Sequence, residues 1–174
     1  MTRMISRRSA GAFAIAAAAF AAMSTLALDA SAQNRTVVSQ WGVDNGAAVA
    51  QRGRANGAVV DQEGRLNYSR AYQEGRRNFL RMRQGGTRNE STTEQRGNDN
   101  LAVTGQDGRN LRSGIYQNGY GNIAGVAQIG AGHRATTDQV GTDNTSAVIQ
   151  VGANQDANVR QRGNNNITVV IQGE

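Results

Sequence analysis

The stretch QWGVDNGAAVAQ, from Gln40 to Gln51, contains a motif that the rest of the chain repeats. Its first glutamine recurs every eleven residues without an insertion or a deletion, and a glycine follows each of the first twelve glutamines by two residues. Strict self-similarity at a fixed period indicates a repeat architecture. The glutamines are Gln40, Gln51, Gln62, Gln73, Gln84, Gln95, Gln106, Gln117, Gln128, Gln139, Gln150, Gln161 and Gln172; the glycines are Gly42, Gly53, Gly64, Gly75, Gly86, Gly97, Gly108, Gly119, Gly130, Gly141, Gly152 and Gly163.

Three further positions of the unit are restricted when its glutamine is numbered position 0. Position 5 is asparagine in nine of the twelve units, position 7 is small in eleven, and position 9 is mostly β-branched. These positions are two residues apart, which is the period of a β-strand, so each unit is predicted to form a strand of about seven residues. The asparagines are Asn45, Asn56, Asn67, Asn78, Asn89, Asn100, Asn122, Asn144 and Asn166.

The step from the glycine at position 2 to the asparagine at position 5 breaks the alternation and predicts a turn. Both residue types tolerate left-handed backbone conformations. Two units then form one coil of 22 residues, and about six coils stack at the strand spacing of about 4.8 Å. Each inward glutamine and asparagine lies over its counterpart two units later, so the side-chain amides form a ladder of the kind found in cross-β structures.

The charged residues support this inside–outside assignment. All arginines after residue 32, and all acidic residues after it except Glu174, fall at positions 1, 3, 4, 6, 8 or 10. Positions 0, 2, 5, 7 and 9 therefore face a dry interior, where an unpaired charge is prohibitive. An eleven-residue period also builds helical coiled coils, but a glycine in every unit would destabilise each helix by about 1 kcal/mol. We expect an all-β solenoid with amyloid-like cross-β stacking.

Residues 1–32 are predicted to be a secretory signal peptide. Arg3, Arg7 and Arg8 form a basic head, an alanine-rich apolar run follows, and Ala30-Ser31-Ala32 supplies a cleavage pattern. A membrane anchor is the alternative interpretation. Residues 33–174 would then form the exported repeat region, which has no cysteine for a disulfide. Its 16 arginines outnumber its 12 acidic residues, a modest excess of +4 (16 − 12) that can attract polyanions.

The repeat resembles that of the curlin family, as QWGVDNGAAVAQ and QNGYGNIAGVAQ (Gln117–Gln128) show. The resemblance implies a secreted structural subunit that polymerises by β-stacking into extracellular curli-like amyloid fibres, used in adhesion and biofilm matrix. It implies as partners other copies of the chain, other curlin subunits including a nucleator, and the curli-type secretion channel with its accessory factors. Two features depart from the family pattern: both halves of each coil carry the same motif, and almost no room is left after the signal peptide for the non-repetitive segment that addresses family members to the channel.

Apolar residues near the C-terminus are candidates for a templating edge that receives the next subunit. They are Val148, Ile149, Val169, Val170 and Ile171. An exposed apolar strand is a template for pairing with another chain, although ordinary strand propensity also accounts for these residues. Trp41, at an outward position of the first unit, is a candidate for similar contacts at the other end.

The stretch from Arg65 to Arg88 is rich in arginine, with seven arginines against the single acidic residue Glu74. This favours an alternative function, a monomeric solenoid that binds extracellular DNA, acidic polysaccharide or a host protein through an arginine-rich outer face. The competing interpretation is that the arginines only solvate the outer surface. His133 replaces an inward asparagine and is expected to be structural. No catalytic set, phosphate-binding loop or metal cluster stands out, so we expect no enzyme activity, cofactor or metal.

Overall fold

The protein is a stack of β-strands joined by short turns. A computed structural model describes residues 33–173, and all regular elements in this range are strands. They are β1 (Arg35–Val43), β2 (Gly46–Arg54), β3 (Gly57–Arg65), β4 (Tyr68–Arg76), β5 (Phe79–Thr87), β6 (Glu90–Asn98), β7 (Leu101–Arg109), β8 (Arg112–Tyr120), β9 (Ile123–Ala131), β10 (Arg134–Thr142), β11 (Thr145–Ala153), β12 (Asp156–Asn164) and β13 (Ile167–Gly173). The signal peptide predicted for residues 1–32 lies outside the described residues and stays a prediction.

The strands alternate between two parallel sheets. The odd-numbered strands form a seven-stranded sheet in the order β1-β3-β5-β7-β9-β11-β13, and the even-numbered strands form a six-stranded sheet from β2 to β12. Each residue pairs with its counterpart two units later, as Gln40 does with Gln62. The predicted solenoid with two units per coil is therefore confirmed. Ala32–Glu174 forms a compact unit of its own, and no helix among the described residues is long and apolar enough to cross a membrane.

The interior is narrow and contains both apolar and polar side chains. The glutamine, small and β-branched positions alternate with outward positions, so that β3 shows a buried residue at every second place. Ala58, Val60, Leu80, Met82 and Ile115 are almost completely buried and belong to one continuous cluster. Position 2 differs from the prediction, since none of its glycines is buried: most of them, such as Gly64 and Gly75, are half-buried at the corner of the coil. The absence of charge there reflects the glycine backbone rather than a dry environment.

The strands are longer than the sequence predicts, because the glycine at position 2 remains within the ladder. β1 to β12 each have nine residues and β13 has seven. Gly64, for example, pairs with Gly86 while its own φ is +116°. Only Leu66 and Asn67, at positions 4 and 5, lie between β3 and β4, so the corner is tighter than a turn over the whole Gly-x-x-Asn segment.

The asparagine at position 5 does not use its tolerance of left-handed conformations. The residue before it, at position 4, has φ between 53° and 71° in all twelve units. Eight of these residues are Asp, Asn or Gly, which tolerate this conformation. The other four are Ala55, Leu66, Arg77 and Arg88, and each L-residue without a local polar side chain is strained there by roughly 1–2 kcal/mol.

Candidate assembly site at the ends of the coil stack

Two glutamine ladders run through the solenoid, one for each sheet. In all eleven steps Nε2 of a glutamine donates to Oε1 of the glutamine one coil later, at 2.6–2.9 Å. The second amide hydrogen is also used: Nε2 of Gln84 donates to the backbone carbonyl of Tyr68 at 3.1 Å. This is how buried amides are satisfied without water. In both ladders the donor of every bond is the glutamine nearer the N-terminal end, and the acceptor is the glutamine nearer the C-terminal end.

The asparagines at position 5 bind the corners rather than simply stacking. Oδ1 of Asn56 accepts the backbone N–H of Asn78 at 3.1 Å, which links successive coils. Nδ2 of Asn56 donates to the carbonyls of Arg52 and Gly75, both at 3.1 Å. One side chain therefore ties its own turn to the coil above. Position 5 forms two columns: direct amide-to-amide bonds join every step from Asn34 to Asn166, whereas in the column from Asn45 to Gln155 only backbone N–H groups link successive side chains.

His133 takes the place of one of these asparagines and makes the same two types of bond. Its Nδ1 lies 3.2 Å from the backbone nitrogen of Gln155, and its Nε2 lies 3.1 Å from the carbonyl oxygen of Ile129. The neutral tautomer with its proton on Nε2 fits both contacts. Leu111 donates its backbone N–H to Oδ1 of Asn89 but offers no side-chain acceptor in return, and Oε1 of Gln155 is buried without a partner. The column from Asn45 to Gln155 therefore has its weakest links at Leu111, His133 and Gln155, the three residues that replace asparagine.

The glycine column is fixed by contact between coils. A Cβ built on Gly64 would lie 2.0 Å from the carbonyl oxygen of Gly86, and the same near-collision recurs up to Gly141. At Gly163 the space above is open, since a Cβ there would meet only Nδ2 of Asn166 at 3.6 Å. The repeat thus provides a glycine surface at its C-terminal end that no described residue covers.

The C-terminal end of the stack is formed by β12 and β13. The outward side chains of β13 are strongly exposed, with Ile167 at 77%, Val169 at 61% and Ile171 at 72%. Val170 and Gln172 alternate with them on the inward side. Nothing in the described chain pairs with the free edges of these two strands.

Two of the residues predicted to form this edge lie elsewhere. Val148 and Ile149 are in β11, which pairs with β9 on one side and with β13 on the other. Val148 is only 1% exposed. Their apolar sequence resembles that of β13, but a strand with both neighbours present offers no free backbone groups. Of the predicted edge residues, Val169, Val170 and Ile171 alone lie at the edge.

The N-terminal end is formed by β1 and β2, which are the other edge strands of the two sheets. Trp41 in β1 is 72% exposed, and its indole nitrogen donates to Oγ of Ser39 at 3.1 Å. In β2 the outward residues are Gly46, Ala48 and Ala50. This end therefore presents one polar and aromatic strand and one strand with small side chains.

The arginine-rich stretch does not form one face. Arg70 lies on the six-stranded sheet and Arg81 on the seven-stranded sheet, while Arg77 lies at a corner. Arg77 donates two hydrogen bonds to Asp99, from Nε to Oδ1 at 2.6 Å and from Nη2 to Oδ2 at 2.7 Å. These bonds lower the pKa of the Asp99 carboxyl below its ordinary value of 3.8. The cations are thus spread around the coil, and several are paired.

A smaller cationic cluster lies at the corner that follows the odd-numbered strands. Arg88, Arg112 and Arg134 line a shallow cavity there together with His133. Arg112 also approaches Glu90, with 3.6 Å between Nε and the carboxylate. Within residues 33–173 no group of three or more His, Asp or Glu side chains is placed to hold a metal ion.

The motif also matches a known family. Residues 42–75 fit the family model described as Curlin associated repeat. This segment matches a curlin repeat. The match covers about three of the eleven-residue units, and the register of these units continues unchanged to β13. No significant match to this curlin-repeat chain was found among curated proteins. The match to a curlin repeat and the solenoid fold point to a structural protein.

Proposed function

We propose that this curlin-repeat protein is a secreted structural subunit that polymerises by strand stacking into extracellular curli-like fibres for surface adhesion and biofilm matrix. The observation that carries the proposal is that no described residue covers either end of the stack. Within residues 33–173, the outer edges of β1 and β2 and of β12 and β13 are unpaired. Repeat proteins that act as monomers need polar caps at their ends, and a free, flat, apolar edge recruits further strands.

The hydrogen-bond polarity of the ladders makes the two ends complementary. Gln172 receives a bond from Gln150 and donates one amide hydrogen to the carbonyl of Asp156. Its second amide hydrogen has no described acceptor. At the other end Gln40 donates to Gln62, and its own Oε1 receives no bond from the described chain. A donor at one end and an acceptor at the other favour head-to-tail addition.

Secretion and the accessory partners rest on the sequence and on the resemblance. The basic, apolar and small-residue segments of residues 1–32 fit a signal peptide. The resemblance adds a nucleating subunit, a dedicated secretion channel and accessory factors. N-terminal sequencing of the protein recovered outside the cell tests the first point, and a chain that begins at Gln33 is the expected result.

The polymer itself is tested with the chain from Gln33 onward, which contains all thirteen strands. Dye-binding fibres are expected to grow with a lag that preformed seeds abolish. A chain that stays monomeric at high concentration, even with seeds, contradicts the proposal.

Two matched variants sharpen this test. Val170→Lys places a charge on the inward side of β13, where stacking would bury it without a partner. Val169→Lys places the same charge one residue away on the outward side, where arginines already occur in other coils. Val170→Lys is expected to add to growing fibres and stop them at low molar ratios, whereas Val169→Lys elongates. Equal growth of both variants would contradict an inward stacking interface.

A second candidate function is polyanion binding at the corner lined by Arg88, Arg112 and Arg134. Extracellular DNA or an acidic polysaccharide would be held by these guanidinium groups. Binding by the soluble monomer that falls steeply with salt, and that a triple Arg→Gln variant loses, would favour this function. Fibre growth unaffected by the same triple variant would show that the two properties are separate.

A further inference from the structure

The described residues form an odd number of strands, which restricts how a second copy can continue the stack. Strands alternate between the two sheets, and the last two described strands are β12 in one sheet and β13 in the other. The next vacant strand place therefore lies over β12, and the one after it lies over β13. Whatever fills these places in order must present two consecutive strands.

We propose, on the basis of the polymer described above, that successive subunits are related by a half turn about the fibre axis. In this arrangement β1 of the second copy lies over β12, and its β2 lies over β13. The seven-stranded sheet of one subunit then continues as the six-stranded sheet of the next. Each subunit contributes thirteen strands, or six and a half coils, so it advances the fibre by about 31 Å.

Stacking without the half turn leaves a defect. If β1 of the second copy lies over β13, the place over β12 stays empty, because β2 then lies a full coil above it. The unpaired backbone N–H and C=O groups of β12 would then face an empty space as high as one strand. Such unpaired backbone groups are rare in the interior of proteins. The half turn leaves no such slot.

The symmetry of the repeat makes the half turn possible. Both halves of each coil have glutamine at position 0 and glycine at position 2, so either sheet can continue the other in register. Over the junction Gln161 meets Gln40 of the second copy, and Gln172 meets Gln51 of the second copy. Gly163, whose upper side is open, meets Gly42 of the second copy as every other glycine in the column meets its neighbour.

One outward side chain of β13 also matches better in this arrangement. The exposed Ile171 meets the small apolar Ala50 of the second copy, whereas without the half turn it would meet Ser39. Val169 meets an apolar residue in either case, Ala48 with the half turn and Val37 without it.

The contacts of Arg35 of the second copy also differ between the two arrangements. With the half turn Asp156 meets Arg35 of the second copy, so opposite charges lie side by side. Without it, Arg35 of the second copy lies over the exposed, apolar Ile167. The contacts of Ile171 and of Arg35 thus favour the half turn, while the hydrogen-bond polarity of the ladders fixes only the head-to-tail direction.

The absence of native cysteine allows a direct test by disulfide formation. Single cysteines are placed at position 10 in four separate proteins, Ala50→Cys, Ser39→Cys, Arg160→Cys and Ile171→Cys. All four positions face outward, and stacked residues about 4.8 Å apart lie within disulfide range. Pairs of variants are mixed in equal amounts, grown into fibres and oxidised, and the cross-linked dimers are identified by mass spectrometry.

The half turn predicts two productive pairs and one unproductive pair. Ile171→Cys is expected to cross-link with Ala50→Cys, and Arg160→Cys with Ser39→Cys, whereas Ile171→Cys with Ser39→Cys gives no dimer. Fibres in which Ile171→Cys joins Ser39→Cys, or in which no pair cross-links, overturn the half turn but leave the polymer intact. Failure of all mixtures to form fibres, with the unsubstituted chain also failing, overturns the proposed function together with this junction.

A measurement on unsubstituted fibres gives an independent check. Helical reconstruction is expected to show a subunit rise of about 31 Å, or six and a half strand spacings. A rise of about 34 Å, corresponding to seven coils with one vacant place, would overturn the half turn.

Discussion

Gln150 donates its side-chain amide to Oε1 of Gln172 at 2.7 Å, and no described residue lies beyond Gln172 to continue that ladder. The same bond recurs at every coil from Gln40 onward. A periodic hydrogen-bonded column has no internal reason to stop, so its last member resembles an interior residue that lacks one neighbour. This relationship connects the stability of the fold to the tendency of the chain to assemble.

Removing one internal member of a ladder should be strongly destabilising. Gln117 is 2% exposed, receives a bond from Gln95 and donates to Gln139. Gln117→Leu would leave a buried donor and a buried acceptor unpaired, each worth roughly 1–3 kcal/mol. We expect the free energy of unfolding to fall by about 3 kcal/mol in guanidinium titrations followed by circular dichroism. The exposed neighbour Asn118→Ala is the control, and equal effects from both would argue against the ladder.

A methyl group at the glycine corner should prevent stacking. Gly64→Ala brings a Cβ to 2.0 Å from the carbonyl oxygen of Gly86 at a φ of +116°. We expect a loss of at least about 3 kcal/mol, or no folded protein at all. Gly105→Ala, an outward position with nothing within 4 Å, should be neutral in the same titration. Normal unfolding of Gly64→Ala would mean that the corners do not approach as described.

Relieving strain at position 4 should stabilise the protein. Leu66 is held at a φ of 58°, where leucine is less favourable than glycine or asparagine by roughly 1–2 kcal/mol. Leu66→Asn is expected to raise the midpoint of thermal unfolding, and Asn110→Leu, at a φ of 55°, is expected to lower it. Changes of the same sign in both variants would exclude backbone strain as the cause.

An unpaired hydroxyl in the interior should be replaceable with a gain in stability. Oγ1 of Thr137 is buried without a hydrogen-bond partner, and the residue lies between Ile115 and Val159. Thr137→Val keeps the shape and removes the unpaired group, so we expect about 1 kcal/mol of stabilisation. Thr136→Val, on the outward side of the same strand, is the control and should have little effect on the guanidinium midpoint. A destabilised Thr137→Val would indicate a partner for this hydroxyl.

Asp99 should make one corner sensitive to acid. The hydrogen bonds from Arg77 lower the pKa of this carboxyl below 3.8. A depressed pKa contributes stability that is complete above the unfolded value and is lost as the pH falls through the folded value. Asp99→Asn should therefore flatten the acid limb of the stability curve below about pH 4. Asp143→Asn, with Gly121 and Asn165 at the same position of the adjacent coils, should leave that limb unchanged; a flattened limb there would argue against the Arg77 pair.

The sequence alone determined the coil length, the two-sheet solenoid and the inward positions 0, 5, 7 and 9, but not position 2. These follow from the eleven-residue register of Gln40 and its successors, because a period-two pattern that repeats without gaps has one consistent inside and outside. It also located the glycines of the corners and the exposed Trp41. The signal was strong because each unit repeats the same constraint independently.

Only the tertiary structure showed which residue turns the corner and which strand forms the edge. The left-handed residue is at position 4. Most units have Asp, Asn or Gly there, but Leu66 and Arg77 break this pattern, so the preference is hard to recognise from the sequence. Val148 and Val170 occupy the same position of their units, yet one is covered on both sides and the other on one side. That difference depends on neighbours a full coil away and on the parity of the strand count, which no single repeat unit contains.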